Sequence, residues 1–163
     1  MTMWPFRRTP KPIYTIEREG KCGPASSVWL AWQSGSLKKM LAVVNDKCHP
    51  VDRHFLLMTI VMKAYKQRRK KGMADLCIKY GWLHIQEFPR LRGPLIRNMG
   101  KLPRVSTHQY LSTVLTERGR YEDAIRVCEL AIEQGLSDGT KGGYRGRIDR
   151  IRRKMQAQRA RNK

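Results

Sequence analysis

The apolar residues of the second half of this chain recur every three or four positions, which is the spacing of one face of an α-helix. The clearest stretch is 117–135, where Gly119 provides a residue that tolerates positive φ at the end of a helix and Tyr121 opens the next one. The apolar positions that share one face of this next helix are Ala124, Val127, Cys128 and Ala131. A preceding helix is predicted to begin near Thr107, because Ser106 and Gln109 have the spacing of a capping box. The pattern therefore predicts an antiparallel helical hairpin over 105–138.

A second hairpin with a weaker pattern is predicted upstream, over residues 52–87. Its first helix runs from Asp52, a natural N-cap, to about Arg69, and apolar residues cover most of its circumference. Such a pattern is typical of a central, buried helix. Gly72 ends this helix, and a second helix is predicted over 73–86. The side chains along one side of this second helix are Ala74, Cys77, Gly81 and His84.

The hairpin at 105–138 resembles a tetratricopeptide repeat. The residues at positions where that family has apolar, turn and small residues are Leu111, Ser112, Gly119, Tyr121, Ala124 and Ala131. Two positions depart from the pattern, since His108 stands where the family often has Trp and Leu136 where it usually has Pro. The hairpin at 52–87 is interpreted as a degenerate copy. The resemblance implies an all-α fold of stacked hairpins whose grooves usually hold peptides, and it implies no particular activity.

The remaining segments complete a mainly all-α prediction. Residues 88–104 hold three prolines, two glycines and five basic residues without an acid, which predicts an extended basic loop. After a turn-rich break, a last helix over 144–160 has a narrow apolar stripe and is predicted to act as a basic capping helix for the second hairpin. The helical domain is thus predicted to span 51–163. Residues 1–50 are predicted to form an arm or small subdomain of mixed structure, with a short strand at 13–17 and an ambiguous segment, strand or helix, at 26–35.

Charge is the property of the composition that is most informative about function. The chain has 34 Lys plus Arg against 13 Asp plus Glu, a formal net charge of +21. The basic residues cluster at 63–71, 90–104 and 145–163, and this segregation favours a binding surface over mere solubility. The candidate binding residues are Arg90, Arg92, Arg97 and Arg104 in the predicted loop, and Arg147, Arg150 and Arg153, which share one side of the last helix.

Two functions remain open at this point, and a third interpretation competes with both. The first, which the repeat resemblance favours, is a non-enzymatic adaptor that docks a protein partner between its hairpins, with a basic surface that selects an acidic partner. The second is a protein that binds the backbone of RNA or DNA with little sequence preference, within a larger assembly. The feature that discriminates this second hypothesis is geometric, because the three basic clusters are then expected to fall on one continuous face. In the third interpretation the charge runs are only solvated helix faces.

Catalytic and metal chemistry find little support. The segment GTKGGYRG at 139–146 follows no strand and lacks the phosphate-loop pattern. No set of Ser, His and acid can be proposed, so the chain is predicted not to be an enzyme. A metal site would need Cys48, His49, Cys77 and His84 to converge, and the paired ligand spacing of zinc sites is missing. Neither a metal nor another cofactor is therefore predicted.

The cellular location is predicted from sequence features that are absent. No run approaches the roughly 18 apolar residues of a membrane span. The start, MTMWPFRRTPKP, lacks the apolar core of a secretory signal, and Trp4 and Phe6 within it are predicted to pack locally. The four cysteines are far apart in sequence, which favours a reduced, cytoplasmic location.

Overall fold

The fold is mainly all-α with a small N-terminal strand arm. The computed structural model describes residues 14–162, so Trp4 and Phe6 lie outside the described residues. Within this range the chain forms seven helices and one two-stranded antiparallel sheet. In chain order the elements are β1 (Thr15–Arg18), β2 (Lys21–Pro24), α1 (Ser27–Gln33), α2 (Leu37–Ala42), α3 (Pro50–Lys66), α4 (Met73–Met99), α5 (Thr107–Glu117), α6 (Tyr121–Glu133) and α7 (Gly143–Arg161).

Two antiparallel hairpins, α3 with α4 and α5 with α6, form the body of the molecule, and α7 packs against α6. Their tight turns are where the sequence predicts them, with Gly72 and Gly119 at φ 78° and 72° in the left-handed region. The apolar face of α6 is fully buried, and α7 covers it with Tyr144, Ile148 and Ile151. The prediction that the last helix caps the second hairpin is confirmed.

The predicted basic loop at 88–104 is wrong, because α4 continues through Pro89 and Pro94 to Met99. Proline in a helix interior removes one backbone hydrogen bond and strains the preceding turn. Here the continued helix buries a third apolar cluster, which offsets that cost. The side chains that form this cluster are Val51, Phe88, Leu91, Leu95 and Val105. Pro89 lies on the exposed side of α4, so its ring does not disturb this packing.

Two predicted capping interactions do not form, although α5 begins at Thr107 as predicted. The N-cap of α3 is His49, whose Nδ1 accepts a backbone N–H two residues on, with Pro50 in the first helical position. Asp52 is instead buried in the first turn, where its carboxylate accepts a 2.6 Å hydrogen bond from Arg18. Ser106 has helical backbone angles and its side chain makes no capping hydrogen bond, so the capping box does not form.

Residues 14–49 share the core of the first hairpin. The ambiguous segment at 26–35 is helical. Helices α1 and α2 contribute Val28, Ala31 and Met40 to the apolar core cluster around α3. The β-hairpin is held to the helices by the Arg18–Asp52 pair and by a 2.8 Å ion pair between Arg97 and Glu19. The N-terminal segment therefore completes the helical core.

Three histidines are buried where the hairpins meet: His54 on α3, His84 on α4 and His108 on α5. His84 Nε2 lies 2.9 Å from His54 Nδ1, and His84 Nδ1 lies 2.6 Å from Thr107 Oγ1. His54 Nε2 and both ring nitrogens of His108 have no hydrogen-bond partner within residues 14–162. Burial lowers the pKa of His54 and of His108 to about 4, and it lowers the pKa of His84 well below its ordinary value. All three are therefore neutral near pH 7.

Candidate anion-binding surface

The last turns of α3 and α5 and the second half of α7 lie at the same end of the molecule. Arg68, just after α3, binds the carboxylate of Glu117 through two hydrogen bonds of 2.8 and 3.0 Å. Helix α7 lies beside α5, and Arg147 of α7 donates a 3.2 Å hydrogen bond to Thr113 Oγ1 of α5. Three helices that are separate in sequence thus present one surface.

Two rows of cations occupy this surface, which we call the cationic end. The first row follows the end of α3 and consists of Lys66, Arg69, Lys70 and Lys71. The second row lies on α7 and consists of Arg150, Arg153 and Lys154. All seven side chains are exposed, and none forms an ion pair with a carboxylate of the described residues. The end of the molecule therefore carries positive charge that the fold itself does not neutralise.

The strip of α5 between the two rows is polar. Thr113 and Thr116 line a small cleft of about 130 Å³ between α5 and α7, with Arg150 and Lys154 on its far side. The hydrogen bonds from Arg68 lower the pKa of the Glu117 carboxyl below its ordinary value, and the charges of Arg68, Arg69 and Lys154 lower it further. Because Arg69 and Lys154 belong to different rows, both rows lie close enough to act on the same carboxylate.

The predicted site residues of the 88–104 segment have partners within the protein. Arg90 pairs with Glu87 at 2.9 Å, and Arg97 pairs with Glu19. Arg92 donates to the backbone carbonyl of Gln134, and Arg104 donates to the carbonyl of Asp138 and to Gln109. Arg90, Arg92 and Arg97 lie on α4, which is roughly 40 Å long and begins beside the cationic end. Arg92, Arg97 and Arg104 connect separate elements away from the cationic end, and Arg90 pairs within α4. The expectation that all three basic clusters share one continuous face is therefore wrong, and only the two rows remain as a candidate surface.

The three predicted residues of the last helix do not form one row. Arg147 is largely buried, and its guanidinium binds the buried carboxylate of Asp138 at 3.2 Å. Arg150 and Arg153 are exposed, as a binding role requires. Lys154, one turn beyond Arg150, lines the cleft together with Arg147 and Arg150, whereas Arg153 does not. The spacing i, i+3, i+4 predicts this neighbour, but a strict three-residue repeat drifts around the helix and misses it.

Arg147 and Arg150 offer a matched test of these two roles. Arg147→Gln should lower the free energy of unfolding by about 2 kcal/mol, since it leaves the buried Asp138 carboxylate with hydrogen bonds from Thr140 alone. Arg150→Gln should change that free energy by less than about 0.5 kcal/mol, because it is an exposed substitution. Urea unfolding of both variants measures the difference, and equal stability of the two would contradict the structural role of Arg147.

Other chemistry finds no support at the candidate positions. Within residues 14–162 no three His, Cys, Asp or Glu side chains gather as metal ligands would, and His84 contacts His54 instead of a cysteine. A larger cleft of about 640 Å³ lies beside Cys48, but its two arginines, Arg53 and Arg90, both bind Glu87. Burial raises the pKa of the Cys48 thiol, which disfavours the reactive thiolate.

The fold and this surface together define a helical-hairpin protein with a cationic end. None of the helices within 14–162 is both long and apolar enough to cross a membrane. Comparison with protein-family models, with curated proteins and with solved structures gave no match. The tetratricopeptide resemblance therefore stays a prediction that depends on the residues quoted above.

Proposed function

We propose that this protein is a non-enzymatic binding protein of tetratricopeptide-like architecture whose cationic end binds the phosphate backbone of a nucleic acid. The observation that carries the proposal is the pair of exposed cation rows, seven side chains without a carboxylate partner among the described residues. Contact with about six phosphates would release a matching number of counterions and supply affinity without reading the bases.

The surroundings of the rows favour phosphate over a protein segment. Peptide grooves usually offer apolar pockets for anchoring side chains. The cleft between α5 and α7 is instead lined by threonine hydroxyls, three cations and the Arg68-bound carboxylate of Glu117, and its one apolar residue, Ile151, is itself buried. Arginine suits phosphate because its planar guanidinium donates two parallel hydrogen bonds. Docking of an acidic protein partner remains the second proposal, because the same charge would attract it.

A titration with labelled nucleic acid tests the proposal. Fluorescence anisotropy with a mixed-sequence RNA and a DNA duplex, each of about 20 nucleotides per strand, is measured across a salt series. We expect the logarithm of the affinity for the duplex to fall against log salt with a slope near −5, as about six phosphate contacts predict. Binding should persist at micromolar protein near physiological salt.

Matched variants and a competitor separate this result from unspecific charge attraction. The triple variant Lys66→Gln, Arg69→Gln, Lys70→Gln removes three exposed cations of the first row, and Lys21→Gln, Lys47→Gln, Lys101→Gln removes three exposed lysines outside the rows. The first should weaken binding at least tenfold and the second far less. Poly-glutamate should compete poorly at equal charge. Equal losses in the two variants, or efficient competition by poly-glutamate, would overturn the proposal in favour of an acidic protein partner.

A further inference from the structure

We infer that the nucleic acid bound by the cationic end is a duplex, with one row of cations on the phosphates of each strand across a single groove. This inference rests on the proposed function and adds the class of nucleic acid. Three features of the described residues carry it: the separation of the rows, the covered aromatic rings beside them, and the carboxylate between them.

The separation of the rows suits two phosphate backbones. Helix α5 lies between α3 and α7, and it contacts α3 on one side and Arg147 of α7 on the other. Packed helices lie roughly 8–10 Å apart, and α7 packs closely against neither α5 nor α3, so the axes that carry the two rows are more than about 10 Å apart. The major groove of DNA is about 12 Å wide, and the minor groove of an RNA helix is wide and shallow. Long lysine and arginine side chains on the two helices can therefore reach both walls of one groove.

Aromatic rings near the rows are not free to stack on bases. Tyr65 at the end of α3 has Tyr110 stacked on it with ring centroids 4.4 Å apart, and the guanidinium of Arg68 lies 4.2 Å from its centroid. Tyr121 packs against the second core cluster, and its hydroxyl donates to Gln158. Proteins that hold single strands generally supply such stacking platforms. Within residues 14–162 the cationic end therefore lacks the feature that a single strand would use.

The position of Glu117 bears on where a nucleic-acid backbone can lie on this surface. Its carboxylate lies on the strip between the rows, with 45% of the side chain exposed. A single phosphate chain laid along the cleft would meet the exposed cations of the α7 row only, and Glu117, already bound by Arg68, offers it no hydrogen-bond donor. Two phosphate walls, one over each row, leave the carboxylate and the threonines beneath the open groove. The arrangement therefore favours two flanking backbones over one central backbone.

Binding of one sequence in single-stranded and double-stranded form, as DNA and as RNA, tests the inference. We expect at least one of the two duplexes to bind the wild type at least tenfold more tightly than the single strands near physiological salt. The comparison of DNA with RNA identifies which duplex is preferred. The salt slope for that duplex should become about 3 units less steep in the Lys66→Gln, Arg69→Gln, Lys70→Gln variant. The same reduction is expected for Arg150→Gln, Arg153→Gln, Lys154→Gln, since each row contacts one strand.

The outcomes separate this inference from the proposed function. Single strands that bind as tightly as both duplexes would overturn the inference and leave the proposed function standing. The same conclusion follows if only one row affects the duplex slope. Absence of binding to every nucleic acid would overturn both. Thermal unfolding followed by circular dichroism confirms that each triple variant is folded, and Lys21→Gln, Lys47→Gln, Lys101→Gln is the charge-matched control, expected to keep the duplex preference.

Discussion

Acidification from about pH 7 to about pH 4 should unfold this protein, because His54, His84 and His108 are buried in the neutral form. Protonation inside the fold would place positive charge among apolar rings such as Phe88, which lies within 6.3 Å of all three imidazoles. The unfolded chain binds these protons at the ordinary histidine pKa near 6.5. Protons therefore favour the unfolded state.

The direction and size of the effect follow from the pKa differences. The histidine contribution to the free energy of unfolding is fully present above about pH 6.5 and is lost as the pH falls toward 4. For His54 and His108 the pKa falls to about 4, and one unit corresponds to 1.36 kcal/mol, so each loses roughly 3 kcal/mol by pH 4. Their sum approaches the roughly 5–15 kcal/mol that a domain of this kind possesses. His84 acts in the same direction, since the positive charge of Arg53 and protonation of its histidine neighbours add to its burial.

Urea unfolding at several pH values, followed by tryptophan fluorescence, measures this loss. Between pH 6.5 and 5, a change in the free energy of unfolding reports the histidines and not the carboxylates. Glu87, Glu117 and Asp138 also have lowered pKa values, but carboxylates of this kind lose their contribution only below about pH 4.5. A free energy of unfolding that stays constant from pH 7 to 5 would contradict the prediction.

Replacement of a single histidine sharpens the assignment. His108→Phe removes a group whose two ring nitrogens have no partner among the described residues and keeps an aromatic ring between Phe88 and Tyr144. We expect this variant to unfold at a lower pH than the wild type. His49→Asn is the control, because it replaces the half-buried N-cap of α3 with another capping side chain and should leave the steep loss unchanged.

The hairpins could be predicted from the sequence because their signals are local. Gly72 and Gly119 mark tight turns, and the alanines and apolar residues of α6 repeat with helical spacing. Helix α4 shows where local signals mislead, since Pro89 and Pro94 predict a loop. The residues between them, Leu91 above all, continue the apolar spacing, and burial against Val105 and α3 decides in favour of helix.

The candidate site was predicted only in part, because pairing across the fold is not written in local patterns. Arg150 and Arg153 are exposed as predicted, whereas Arg147 lies against Asp138, nine residues away, and Arg97 against Glu19, 78 residues away. The histidine cluster could not be predicted for the same reason. His84 shares an apolar helix face in the sequence, but its contact with His54 depends on how α3 and α4 pack.

The second large effect is expected at Gly81 on α4, where this helix packs tightly against α5. A Cβ at this position would lie 3.1 Å from both δ-carbons of Leu111 and 3.3 Å from its Cβ. Leu111 is fully buried on α5 and has no free space to enter. Gly81→Leu should therefore lower the free energy of unfolding by about 3 kcal/mol through overpacking.

Gly81→Ala on α4 and Gly146→Ala on α7 separate close packing from helix propensity. Alanine stabilises a helix interior by about 1 kcal/mol relative to glycine wherever it fits. At Gly146 the nearest atom to a new Cβ is the guanidinium of Arg150 at 3.6 Å, an ordinary contact with an exposed side chain, so this variant should gain most of that free energy. At Gly81 the immobile Leu111 should cancel or reverse the gain. Urea unfolding of the two alanine variants measures the difference, and an equal gain at both positions would show that α4 and α5 are not in close contact.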